Sequence, residues 1–336
     1  MTSKQRGAAL MAAFSLFTIL TARPVRADPK EEAEAHFEKG KEQNRERKIA
    51  EARAEFIEAV KLGLENYKYH QALVLNFIQT REGLLAIRFY QKLEQEEPTS
   101  PAVHYWMGRV YMEGGSLPEA AREFSEATRL APQDEHAFIS LGHVDYRLGK
   151  EEEAFQAYRR ANQLKPGVAP VLTGLGNIYY SRRQYDRARK NYEKALKIDP
   201  SLSEARYNLS LIYRKEGKIA QAIAQWKALL EDDPNESRAR EQLARAYFIG
   251  KQYRDAAEQY QMLSLVREQS PEVFLALGES EILLASESED REEKLGLMQE
   301  ARTAFTRTLE LDPHNTLAKK YLDRLQSAEP SGSMKK

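Results

Sequence analysis

The chain has 336 residues, 42% hydrophobic and 30% charged, a balance that supports a large buried core with solvated outer faces and excludes wholesale disorder. Lys+Arg and Asp+Glu number 51 each, so the basic excess of a dedicated nucleic-acid binder is missing. The absence of cysteine removes disulfides, thiolate nucleophiles and cysteine metal sites together.

Residues 1–27 differ in class from the rest. Lys4 and Arg6 open the chain without an acid, and residues 8–22 form an apolar run broken only by Ser15, Thr18 and Thr21. Val25-Arg26-Ala27 then places small residues three and one before Asp28. These features describe a secretory signal peptide cut after Ala27, so the mature protein is expected in the periplasm or outside the cell. The apolar run falls short of the roughly 20 residues that span a bilayer. Retention of the segment as an anchor is the alternative, favoured by Arg23 and Arg26 between the run and the cut. Cleavage would leave 47 basic against 51 acidic residues, with no membrane span in the mature chain.

From there the chain repeats. Alanine recurs at Ala52, Ala86, Ala120, Ala154, Ala188, Ala222 and Ala256, every interval being 34. Four residues after each stands an aromatic: Phe56, Tyr90, Phe124, Tyr158, Tyr192, Trp226 and Tyr260. Pro98, Pro132, Pro166, Pro200 and Pro234 keep the same step, as do Gly108, Gly142 and Gly176. An alanine and an aromatic four apart share one helix face, small glycine and alanine let two helices approach closely, and proline ends a helix.

This pattern resembles the tetratricopeptide repeat, a helix–turn–helix unit of about 34 residues. Residues 169–202 carry it most fully, with Leu175, Gly176 and Tyr179 in the first helix and Ala188, Tyr192, Ala195 and Pro200 in the second. The resemblance implies an all-α fold, a right-handed α-α superhelix (solenoid) of about eight tandem repeats with a concave and a convex face. The repeats are placed at 33–66, 67–100, 101–134, 135–168, 169–202, 203–236 and 237–270. An eighth spans 271–315 and carries 11 extra residues, because Ala301 follows Ala256 by 45. A capping helix is expected at 316–328 and a disordered tail at 329–336. Val74, where the other repeats hold a small residue, predicts altered packing in the second repeat.

Catalytic constellations are sparse: there is no His-Glu-x-x-His, no Gly-x-Ser-x-Gly and no phosphate-cradling glycine loop. No catalytic residue, metal ligand or cofactor site is assigned, and no cofactor is expected. His36, His70 and His104 lie 34 apart at a packing position and read as core histidines. The family directs certain first-helix side chains into its concave groove. Those positions hold Tyr105, Arg109, His136, His143, Tyr146 and Arg147, then Asn177, Tyr180, Tyr207, Asn208, Arg214 and Lys215, then Arg238, Arg245 and Phe248. Tyrosine with arginine suits protein recognition, and the basic balance, diluted by Glu113, Glu204 and Glu241, points to an acidic or carboxylate-bearing peptide. Asn177, Asn208 and Arg238 also match part of the carboxylate clamp of some family members, although Thr173 and Gln242 stand where that clamp has lysine and arginine.

The function this implies is a non-enzymatic protein–protein interaction scaffold or adaptor of the cell envelope or extracellular space, binding a protein or peptide in the groove. The alternatives are a membrane-tethered subunit of an envelope assembly, secretion or polysaccharide-export complex, a carbohydrate-binding module, and an enzyme. Nucleic acid is not an expected partner.

Overall fold

The computed structural model describes residues 28–327; the expected signal segment at 1–27 and the tail at 329–336 lie outside them. The described residues form seventeen α-helices, and the chain divides into two compact units after Leu148. The first unit holds α1 (Pro29–Arg45), α2 (Ile49–Leu62), α3 (Tyr67–Gln79), α4 (Gly83–Glu96), α5 (Pro101–Glu113), α6 (Leu117–Leu130) and α7 (Glu135–Arg147). The second holds α8 (Glu151–Leu164), α9 (Ala169–Ser181), α10 (Tyr185–Ile198), α11 (Ser203–Lys215), α12 (Ile219–Asp232), α13 (Ser237–Ile249), α14 (Tyr253–Val266), α15 (Pro271–Glu287), α16 (Arg291–Leu311) and α17 (Thr316–Ser327). Within each unit helices pack mainly on their sequence neighbours.

Local chemistry sets the helix ends. Asn66, Ser100 and Asp134 accept hydrogen bonds from first-turn amides and start α3, α5 and α7. The turns that end the first helices place Arg47, Arg81, Gly115, Gly149, Arg183, Gly217 and Lys251 at φ between 57° and 79°, positions again spaced by the repeat step. The next amide then reaches back into the helix, as Ser116 N–H does to Tyr111 O at 2.9 Å and Lys218 N–H to Tyr213 O at 2.8 Å. Glycine adopts that geometry freely, whereas arginine and lysine are strained in it.

The repeated glycine sets how closely paired helices approach. A Cβ built on Gly40, Gly108, Gly176 or Gly278 would stand 2.6, 2.8, 2.6 or 2.7 Å from the rings of Phe56, Phe124, Tyr192 and Phe305 respectively. Those four rings are at most 3% exposed, and burying each contributes roughly 2–3 kcal/mol. Val74 occupies the glycine position of the second pair. There α3 and α4 approach far less than α1 and α2 or α5 and α6. A cleft of about 220 Å³ opens beside Val74, Phe77 and Ala86, and Leu75, Ile78, Leu84 and Leu85 stay exposed.

The 11 extra residues of the eighth pair are taken up mainly as helix. α15 has 17 residues and α16 has 21, against 13 and 14 in α9 and α10. Asp290 caps α16 by accepting from the Glu292 and Glu293 amides, and Arg254 of α14 pairs with Glu293 at 2.5 Å. α17 closes the array by stacking Tyr321 on Phe305, with ring centroids 4.7 Å apart, and by burying Ala318 and Leu325.

Candidate functional site

In the first unit the expected groove residues do not share one environment. Tyr105 is only 6% exposed. The ring of Tyr67 lies 5.0 Å from it, and the Tyr67 hydroxyl donates to the Asp134 carboxylate, tying the start of α3 to the start of α7. Tyr105 is therefore a support beneath Tyr67 rather than a contact residue, a correction that comes from a side chain 38 positions earlier. Burial, then the bond to Asp134, raises the pKa of the Tyr67 hydroxyl. His136 remains exposed, 6.5 Å from the Tyr67 ring and 3.6 Å from a Glu135 oxygen. Arg109 is half-buried against Trp106 and lies 3.9 Å from Glu113. His143 and Arg147 are exposed and Tyr146 is half-buried.

His70 and His104 are buried and also hydrogen-bonded, whereas His36, expected in the core with them, keeps its side chain 30% exposed and meets Glu55 at 2.6 Å. His70 Nε2 faces Leu64 O at 2.6 Å and His104 Nε2 faces Pro98 O at 3.1 Å, each a carbonyl six residues upstream. Arg206 and Arg240, at the same step of α11 and α13, donate to Pro200 O and Pro234 O. The position thus secures the turn ahead of each helix. The charge states of the two buried histidines differ because their second partners differ. His70 Nδ1 meets the Tyr90 hydroxyl at 3.0 Å, which can donate, so the ring is neutral and burial lowers its pKa to about 4. His104 Nδ1 meets a Glu123 carboxylate oxygen at 2.8 Å, so with both ring nitrogens facing acceptors the imidazolium is favoured. The bond to Glu123 raises the His104 pKa. Burial opposes ionisation of Glu123, but hydrogen bonds from His104 and Arg122 overcome it and hold its carboxyl below the ordinary value.

Glu94, His104 and Glu123 bring ligand-type atoms within 4.8 Å of one another. The His104 nitrogens and both Glu123 oxygens already have protein partners, with Arg122 on Glu123 Oε1 at 2.9–3.0 Å. The cluster is therefore an ion-paired core group.

In the second unit the expected residues form a connected surface on α9, α11 and α13. Asn177 is the buried centre. Its Oδ1 accepts from the Tyr192 hydroxyl at 2.7 Å and from Asn208 Nδ2 at 2.9 Å, while its Nδ2 donates to Glu204 at 2.8 Å. This corrects the expectation of a ligand-gripping asparagine: Asn177 is 7% exposed, and a carboxylate of the chain itself already holds its amide. Arg238 lies 4.8 Å from the Tyr207 ring and pairs with Glu236 at 3.0 Å. Arg214 donates to the neutral Gln242 amide and stays exposed, keeping its charge uncompensated by that partner. Tyr180 is half-buried, with its ring edge on Tyr185 at 5.5 Å. Tyr67 and Glu236 were not among the expected residues, and neither lies a whole number of repeat steps from a groove position, so the pattern could not mark them; Gln242, one step from Asn208, entered only as a departure from the clamp.

Family models described as tetratricopeptide repeat match residues 84–141, 135–167 and 207–271, and one described as TPR repeat matches 176–215. Between 84 and 271 they leave out only 168–175. The chain is a tetratricopeptide-repeat protein. Its fold is the all-α helical-repeat solenoid of that family, whose class of function is the protein–protein interaction scaffold. Among solved structures it is similar to the C-terminal part of a TPR repeat-containing protein from Cytophaga hutchinsonii, at 20% identity over 76% of this chain and 99% of that one, TM-score 0.55. PilF of Pseudomonas aeruginosa matches at 18% identity over 67% of this chain and 97% of that one, TM-score 0.53. A chain of the APC/C Cut9–Hcn1 hetero-tetramer matches at 16% over 82% of this chain, TM-score 0.54. The tetratricopeptide chain spans about half the length of that last structure, 52%. At these identities the likeness is one of fold. No curated protein matches the sequence. None of the described helices is long and apolar enough to cross a membrane.

Proposed function

We propose that this tetratricopeptide protein is a non-enzymatic scaffold of the cell envelope or extracellular space, and that the first-helix face of residues 149–327 receives a carboxylate-bearing segment of a partner protein. The observation that carries this reading is the bonding between successive first helices. Asn208 to Asn177, Arg238 over Tyr207 and Arg214 to Gln242 each join two neighbouring helices while leaving Tyr207, Arg214 and Arg238 at the surface. Side chains ordered before binding lose less entropy on binding, which favours a defined ligand. The Arg214 guanidinium, set on a neutral amide, suits a carboxylate fork. Export rests on Lys4, Arg6, the apolar run and Val25-Arg26-Ala27.

A photo-crosslinking residue at Tyr207, compared with one at the exposed second-helix position Gln221, tests the surface in cells. The expected result is a discrete partner adduct at Tyr207, weakened at least tenfold by Arg214→Glu and absent at Gln221. Equal adducts at both positions would overturn the assignment. Sequencing of the mature N-terminus tests export, with a start at Asp28 expected and a start at Met1 contradicting it.

A further inference from the structure

The eleventh residue of a first helix is a tyrosine in α5, α9, α11 and α13: Tyr111, Tyr179, Tyr213 and Tyr247. In three of these it reaches the preceding second helix at a residue 20 positions earlier. Gln91 donates to the Tyr111 hydroxyl at 3.2 Å, the Tyr213 hydroxyl donates to Glu193 at 3.2 Å, and the Lys227 ammonium lies 5.8 Å from the Tyr247 ring. In α15 that eleventh residue is Glu281, and the residue 20 earlier is Gln261 of α14. No hydrogen bond joins them. Glu281 is 6% exposed, and its Oε2 has no hydrogen-bond partner.

Where the phenol is missing, a cavity of about 790 Å³ lies among α14, α15 and α16, lined by both Gln261 and Glu281. Phe274, Leu277 and Leu297 give it apolar walls. Its other charged groups are Glu258 from α14 and Glu300, Arg302, Arg307 and Glu310 from α16, so carboxylates exceed guanidinium groups. Arg307 is moreover paired with Glu310 at 2.8 Å. A buried carboxyl without a donor is costly to the fold, and a ligand that supplies one recovers that cost. We propose that this cavity binds an ammonium group carried on an apolar stem, with Glu281 as its counter-charge. Burial first, then the neighbouring Glu300, raises the Glu281 pKa to about 8. At neutral pH the empty site therefore holds a protonated carboxyl, and the arriving ammonium displaces that proton to solvent.

The proposal is independent of the surface on α9, α11 and α13. Calorimetric titration of the full chain at pH 7 with n-hexylamine, with n-hexanol as the uncharged control, tests it. Saturable amine binding is expected, at least tenfold tighter than hexanol, with proton release read from the dependence on buffer ionisation heat. Glu281→Gln keeps the size of the side chain and is expected to weaken amine binding at least tenfold. Glu281→Tyr supplies the phenol found in α5, α9, α11 and α13 and is expected to abolish binding; circular dichroism checks that each variant is folded. A short peptide with one internal lysine distinguishes the sources of the ammonium: tighter binding than hexylamine marks a partner's lysine, weaker binding a free amine. No saturable amine binding up to roughly 10 mM, or unchanged affinity in Glu281→Gln, would overturn the proposal.

Discussion

The pairs α3–α4 and α5–α6 follow one repeat pattern a single step apart, and three of their differences at matched positions reset the local structure. Val74 stands against Gly108, Arg81 against Gly115, and Phe89 against Glu123, which gives the shared histidines His70 and His104 different partners. Tyr90 and Phe124, the aromatics of the two second helices, are nonetheless both 0% exposed. The aromatic anchor therefore survives each change, while the changes reset closeness of approach, charge state and backbone strain one at a time. Closeness is lost in α3–α4, with a cleft and four exposed apolar side chains as the consequence. Such a frame can vary its surface without losing its core, as a scaffold requires.

Transplanting residues between the two pairs tests how independent these settings are. The largest effect is expected from Gly108→Val, which puts the second pair's residue where a Cβ alone would meet Phe124 at 2.8 Å. The expected cost is about 3 kcal/mol, read by urea unfolding. A loss below about 0.5 kcal/mol would show that glycine does not set the approach.

The two histidines should give opposite pH dependences. The His70 pKa is lowered to about 4 in the fold. Its contribution, about 3 kcal/mol, is present above the unfolded value near 6.5 and is lost as pH falls through the folded value. The His104 pKa is raised, so its contribution is full below the unfolded value and is lost as pH rises through the folded one. Unfolding measured from pH 4 to 9 should lose part of its acid-side dependence in His70→Asn and part of its alkaline-side dependence in His104→Gln. Identical profiles in the two variants would refute the assigned charge states.

The smallest expected effects lie in the turns. Arg81 and Gly115 share the left-handed conformation, at φ 57° and 79°. Arg81→Gly should add about 1 kcal/mol of stability and Gly115→Arg should remove a similar amount. Equal signs for the two changes would mean that backbone strain does not govern the turn.

The helix pairs were legible in the sequence because small residues, aromatics and prolines recur at a fixed step, and close packing leaves those positions little freedom. The candidate surface was legible only in part. Tyr207, Asn208, Arg214 and Arg238 reach the surface as their first-helix positions imply. Tyr105 does not, because Tyr67 from another repeat covers it, and a rule stated within one repeat carries no term for that contact. Asn177 has the right position, but its amide is taken by Glu204, Tyr192 and Asn208, a fact of geometry between helices. Glu281 was not singled out in the sequence, since Phe77 and Asp145 also replace tyrosine at that helix position. Its burial without a donor depends on how α14, α15 and α16 pack, which the sequence pattern does not specify.

Hydrogen exchange tests most directly the claim that one frame carries independent local settings. Amides in poorly packed segments open more readily than those in close-packed ones. Exchange measured by mass spectrometry on the free protein should show α3 and α4 at least tenfold less protected than α5 and α6, with Val74→Gly bringing the two pairs together. Equal protection in the wild-type protein, or a Val74→Gly variant that leaves the difference unchanged, would contradict it.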